Sequence, residues 1–87
     1  MREQIDQEVS VVMYYSASKK IAYPHLIRWQ NNDYQVGKIG YHHQVRIGTT
    51  LHHIYELVDR QNCLWFRLNF NTDNLHWLLE TISDGMS

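Results

Sequence analysis

Leu26-Ile27-Arg28-Trp29, then Gln30-Asn31-Asn32-Asp33, then Tyr34-Gln35-Val36-Gly37: two runs of aliphatic, β-branched and aromatic residues are parted by four polar ones. The outer runs favour extended backbone, because branched and aromatic side chains fit a pleated, half-buried surface. The Asn and Asp residues between them tolerate left-handed backbone and bond locally, as a hairpin turn requires. The same rhythm returns in Trp65-Phe66-Arg67-Leu68-Asn69-Phe70, the turn Asn71-Thr72-Asp73-Asn74, and Leu75-His76-Trp77-Leu78-Leu79-Glu80. Strands joined by short turns specify an all-β chain.

Working outward, Val9, Val11, Met13 and Tyr15 alternate along a strand, and residues 16–20 form a turn. Residues 21–29 resume an extended run in which Pro24, lacking an amide hydrogen, belongs at a sheet edge or bulge. Residues 51–59 and 63–70 read as strands around the turn at 60–62. In the second of these, Leu64, Phe66, Leu68 and Phe70 share the predicted core face, and Trp65, Arg67 and Asn69 the other. Leu75, Trp77 and Leu79 face one way and His76, Leu78 and Glu80 the other, before a turn-like stop at Asp84-Gly85. About six short strands at this spacing predict a small curled antiparallel sheet or partly open barrel. Residues 1–8 are polar without a period and predict a frayed end, leaving residues 9–85 as a single β domain.

The chain has 87 residues, enough for one core. Its single Cys63 has no internal disulfide partner, and no stretch has the length of a membrane span or the pattern of a signal peptide. The expectation is a cytoplasmic protein with no membrane contact.

Formal net charge is −1, yet the charges are segregated. Residues 1–18 hold Arg2 against Glu3, Asp6 and Glu8. Residues 19–55 hold Lys19, Lys20, Arg28, Lys38 and Arg46 against Asp33 alone, together with His25, His42, His43, His52 and His53. Residues 56–87 hold Arg60 and Arg67 against five carboxylates. A basic middle that gains charge in mild acid suits a polyanionic partner. Three of the four glycines, Gly37, Gly40 and Gly48, fall in the same middle, predicting an irregular functional connection over 37–53.

The two His-His pairs raise the question of a divalent metal. Neighbouring strand residues point to opposite faces, so each pair offers one imidazole to a common site, with His76 or Glu56 as third ligand. No helical two-histidine motif or cysteine pair accompanies them, and the reading is no metal and no cofactor. Catalysis lacks a signature as well: Cys63 has no base fixed beside it, and no glycine-rich phosphate loop is present. The predicted function is a non-enzymatic binding or accessory module. It contacts nucleic acid through Arg28, Lys38, Tyr41, His42, His43, Arg46, His52 and His53, with bases stacking on aromatics and cations meeting phosphates. The alternative is a protein-protein interaction or homo-oligomerisation module using a sheet edge or an apolar patch such as Trp65 with Leu78.

The succession Ile27-Arg28-Trp29, Tyr34-Gln35-Val36, Tyr55-Glu56-Leu57, the run from Leu68 to Phe70 and Trp77-Leu78-Leu79-Glu80 with Asp84 resembles a small all-β domain family of uncharacterised function sometimes encoded beside translesion DNA polymerases. The resemblance spans about residues 20–85 and implies the sheet without implying catalytic residues. The chain departs from that pattern in its His-His pairs and its few arginines.

Overall fold

The computed structural model describes residues 2–84, and among them there are seven strands and no helix. The strands are β1 (Arg2–Glu8), β2 (Ser10–Ser16), β3 (Ile21–Trp29), β4 (Asn32–Ile47), β5 (Thr50–Asp59), β6 (Trp65–Asn71) and β7 (His76–Ser83). They form one antiparallel sheet in the order β1-β7-β6-β5-β4-β3-β2, which is not closed into a barrel. From β2 to β7 each strand pairs with its neighbour in sequence. β1 alone joins out of order, at the far edge beside β7.

Only Val9 separates β1 from β2, although the two occupy opposite edges. The sheet must therefore curl until its edges approach, so that one residue crosses from one to the other. Two bonds hold that approach: the Val9 amide donates to the Trp77 carbonyl at 3.0 Å, and the Trp29 indole Nε1 donates to Gln7 Oε1 at 3.0 Å.

Three sequence expectations change. There are seven strands rather than six, because residues Arg2–Glu8, predicted to fray, form β1 along β7. Their polar sequence hid this, since all but the half-buried Ile5 are exposed. The predicted irregular connection over 37–53 is instead the longest hairpin of the fold, β4 with β5, closed by a two-residue turn with Gly48 at φ 63°. Glycine marks bulges within it: the register shifts between Val36 and Lys38 and between Ile39 and Tyr41, straddling Gly37 and Gly40. A Cβ on Gly37 would stand 2.7 Å from the Asp59 carbonyl oxygen, so the close approach of β4 to the end of β5 requires glycine there. The proposed stop at Asp84-Gly85 extends beyond the described residues at Gly85.

The core lies on the inner face of the curl, where Ile27, Tyr55, Leu57, Phe66, Leu68, Trp77 and Leu79 form one buried cluster. Fully burying a side chain of this kind contributes about 1.5–3 kcal/mol. The alternation predicted in β6 holds: Phe66 and Leu68 are buried, and Leu64 and Phe70 pack half-buried against them. Trp77 and Leu79 are buried as expected, whereas Leu75 sits at φ 63° in the preceding turn and is 67% exposed. Pro24 is fully buried and pairs with Met13 at the irregularity that leaves His25 as the extra residue of β3, in keeping with a bulge position. The turn from β5 to β6 is built on a buried carboxylate: Asp59 Oδ1 accepts the amides of Cys63 at 2.8 Å and Leu64 at 3.1 Å.

Candidate functional site

Strands β3 and β4 pair only at the base of their hairpin, from Leu26 with Gln35 to Trp29 with Asn32. Beyond that point residues 21–25 stay with β2, while β4 from Val36 to Ile47 stays with β5. The two hairpins diverge and leave a cleft. A cavity of about 460 Å³ lies in it, lined by Ile21, Ala22 and Tyr23 of β3, Ile39 and His42 of β4, and His53 and Tyr55 of β5.

One wall of this cavity is an aromatic stack. Counting outward from the Gly48 turn puts His42 opposite Tyr55 and one diagonal step from His53. The His42 ring lies on Tyr55 with centroids 4.2 Å apart and planes 1° from parallel. His42 Nε2 is 2.9 Å from His53 Nδ1. Behind them Tyr55 meets Trp77 at 5.7 Å, and Trp77 stacks on Phe70 at 4.5 Å. The histidines are thus the polar rim of the core cluster.

The close contact constrains their protons. One imidazole donates the shared hydrogen and the other accepts it, so the neutral pair turns one remaining donor and one remaining acceptor outward. Burial, and then the imidazoles of His53 and His43, hold the His42 pKa below its ordinary 6.5. Burial raises that of the Tyr55 phenol, which therefore stays neutral.

The other face of the same strands carries a polar network beside buried Ile54 and Val58. Arg67 bridges Glu56 Oε2 at 2.6 Å and Glu80 Oε1 at 2.8 Å. Asn69 Nδ2 donates to Glu80 Oε2 at 2.8 Å, so its oxygen accepts, and His52 Nδ1 at 2.7 Å must be the donor. Exposed Tyr41 rests on His43, with centroids at 4.8 Å; the His43 Nδ1 atom is buried without a partner.

The eight residues singled out from the sequence are therefore divided. His42 and His53 meet at the cleft. Tyr41, His43 and His52 pair with Glu56, Ile54 and Val45 on the opposite face, and Lys38 is exposed opposite Val58. Arg46 is exposed opposite Leu51, near the tip of the hairpin. Arg28 is held by Asp33 at 2.7 and 3.1 Å, and that bond keeps the Asp33 carboxyl below its ordinary range. The suggested third metal ligands are elsewhere: Glu56 binds Arg67, and His76 Nδ1 lies 3.4 Å from Glu8 Oε2. Among the described residues no group of three or more His, Cys, Asp or Glu side chains is placed to hold a metal. Cys63 is exposed, its Sγ donating to the Gln61 carbonyl at 3.4 Å.

Sequence reasoning missed the contributions of Ile21, Ala22, Tyr23, Ile39 and Tyr55 to the cleft. The available signal was the Gly48-Thr49 turn: read as a two-residue hairpin loop, it sets the register that joins His42, His53 and Tyr55. Nothing local to residues 21–23 announces that they face this wall. Comparison of the chain with protein-family models, curated proteins and solved structures finds no match. No helix among the described residues is long and apolar enough to cross a membrane.

Proposed function

We propose that this chain is a non-enzymatic interaction module that takes an extended segment of a partner polypeptide into the cleft between the β2–β3 and β4–β5 hairpins. One observation carries the reading: the edge of β4 that faces β3 is unpaired from Val36 to Ile47, and an apolar cavity opens beside it. A strand added there gains main-chain hydrogen bonds along β4 and sends alternate side chains toward the cavity. Its apolar walls suit an aliphatic or aromatic side chain, and the His42–His53 rim offers that segment one donor and one acceptor.

Nucleic acid is the competing partner. Its support is exposed Tyr41, which rests on half-buried His43 on the face that Lys38 shares. Against it, the Arg28 charge is met by Asp33, and the Arg67 charge by Glu56 and Glu80. The resemblance to a family encoded beside translesion polymerases agrees with an accessory role for either partner. A cytoplasmic setting completes the proposal and rests on the lone, exposed Cys63 thiol.

The test is amide chemical-shift mapping with two probes. One is a set of extended peptides selected from a random displayed library; the other is single- and double-stranded oligonucleotides at about 50 and 200 mM salt. Peptide-induced shifts at Ile39, His42, His53 and Tyr55, little changed by salt, are expected. Oligonucleotide shifts centred on Lys38, Tyr41 and His43 that collapse at the higher salt would replace this reading with the nucleic-acid one. Cleft resonances that respond to neither probe would remove it.

A further inference from the structure

The two edges of the sheet are built differently. The β1 edge carries Arg2, Glu3, Asp6 and Glu8, is irregular between Gln4 and Gln7, and has Asp6 at φ 53°. Charges and bulges of that kind prevent a second chain from pairing. The β2 edge lacks them: no charged residue occurs between Glu8 and Lys19. The irregularity in the β2–β3 ladder inserts His25 on β3, so β2 itself runs without an extra residue. Its outward groups are apolar, with Val12 53%, Met13 39%, Tyr14 51% and Tyr15 61% exposed.

The sequence of β2, Ser10-Val11-Val12-Met13-Tyr14-Tyr15-Ser16, has a serine at each end, two valines before Met13 and two tyrosines after it. An antiparallel pair of such strands centred on Met13 sets Val12 opposite Tyr14 and Val11 opposite Tyr15, twice each. It also sets Ser10 opposite Ser16, and Met13 opposite its own copy. Aromatic with β-branched is among the favourable cross-strand pairings. A strand that pairs with itself in this way satisfies the self-complementarity demanded by a two-fold axis.

We propose that the β2 edge is a homodimer interface, in which a second copy of this chain joins β2 to β2 antiparallel about a two-fold axis at Met13. The two sheets then continue into one of fourteen strands, twice the seven in each copy. Successive side chains of β2 point to opposite faces of the sheet, so edge pairing covers only part of their exposed area and buries less than the roughly 1,200 Å² at which stable interfaces begin. The dimer is therefore weak and concentration-dependent. The cleft lies on the other side of β3 and stays open, so this inference stands apart from the proposed peptide site and neither fails with the other.

Sedimentation of the purified chain from about 5 to 500 µM, a range suited to a weak interface, is the test, alongside amide hydrogen exchange at both ends of that range. Expected are a mass rising from one copy to two and added protection confined to β2. The variant Met13→Lys places like charges opposite each other on the axis and should remain monomeric throughout with an unchanged circular dichroism spectrum. If that variant fails to fold, the wild-type exchange pattern still decides. A monomer at every concentration would overturn the interface, as would a dimer whose protection falls outside β2 or survives Met13→Lys in the folded state.

Discussion

His42 Nε2 lies 2.9 Å from His53 Nδ1, and this one contact joins the mouth of the cleft to the core cluster through the Tyr55 ring beneath. It also places two titratable imidazoles in direct contact at the cleft. A single proton added to the pair leaves the shared hydrogen in place, whereas a second sets two N–H groups against each other.

The His42 pKa is held below 6.5, first by burial and then by neighbouring imidazoles. As pH falls the unfolded chain takes up this proton before the folded chain does. The His42 contribution to stability is therefore full above 6.5 and is lost as pH drops through the lower folded value. Urea midpoints should decrease between pH 7.5 and 5.5, and His42→Phe, which keeps the stack on Tyr55, should flatten that decrease. An His42 imidazole that titrates at or above 6.5 by NMR would contradict the assignment.

Gly37→Ala should destabilise by about 1–3 kcal/mol, because the added methyl meets backbone rather than a side chain that can swing away. Gly48→Ala has open space around it and pays only for its positive φ, so a smaller loss of about 1 kcal/mol is expected. Equilibrium denaturation of both variants checks the order; Gly48→Ala proving the more damaging would count against the close approach at Gly37.

Asp59→Ala removes the acceptor for two amides and should cost about 1–3 kcal/mol. Asp59→Asn can present a carbonyl oxygen to the same amides and should lose less. Hydrogen exchange at Cys63 and Leu64 supplies the local readout, accelerating in the alanine variant before the core strands do.

Arg67→Ala leaves Glu56 and Glu80 without the cation between them, and a loss of about 1–3 kcal/mol is expected at neutral pH. Adding Glu56→Gln and Glu80→Gln to that variant should restore part of the loss by removing the uncompensated charge. A fully additive triple variant in denaturant melts would show that the three side chains do not act as one network.

What could be read from the residues was whatever depends on near neighbours. Phe66 and Leu68 alternate with Trp65 and Arg67 because a strand turns successive side chains to opposite faces, and the core followed from that. The hairpin turn at Gln30-Asn31 was legible for the same reason, both residues adopting positive φ. Separation of His42 from His43, and of His52 from His53, onto different faces was also local, as was the single imidazole that each pair brings to the cleft.

The sequence by itself thus determined an all-β chain, its inward faces, most of its turns and the parting of the histidine pairs, because these are set by steric preferences within a few residues. The tertiary structure alone decided that polar Arg2–Glu8 pairs with β7, that β3 leaves β4 after Leu26, and that Ile21 to Tyr23 face His42 and His53. Those contacts join residues as far apart as Arg2 and Ser83, and their partner choice depends on how far the whole sheet curls. Curl accumulates from the twist of every strand and the bulges beside Gly37 and Gly40, a sum that no short stretch of this chain contains.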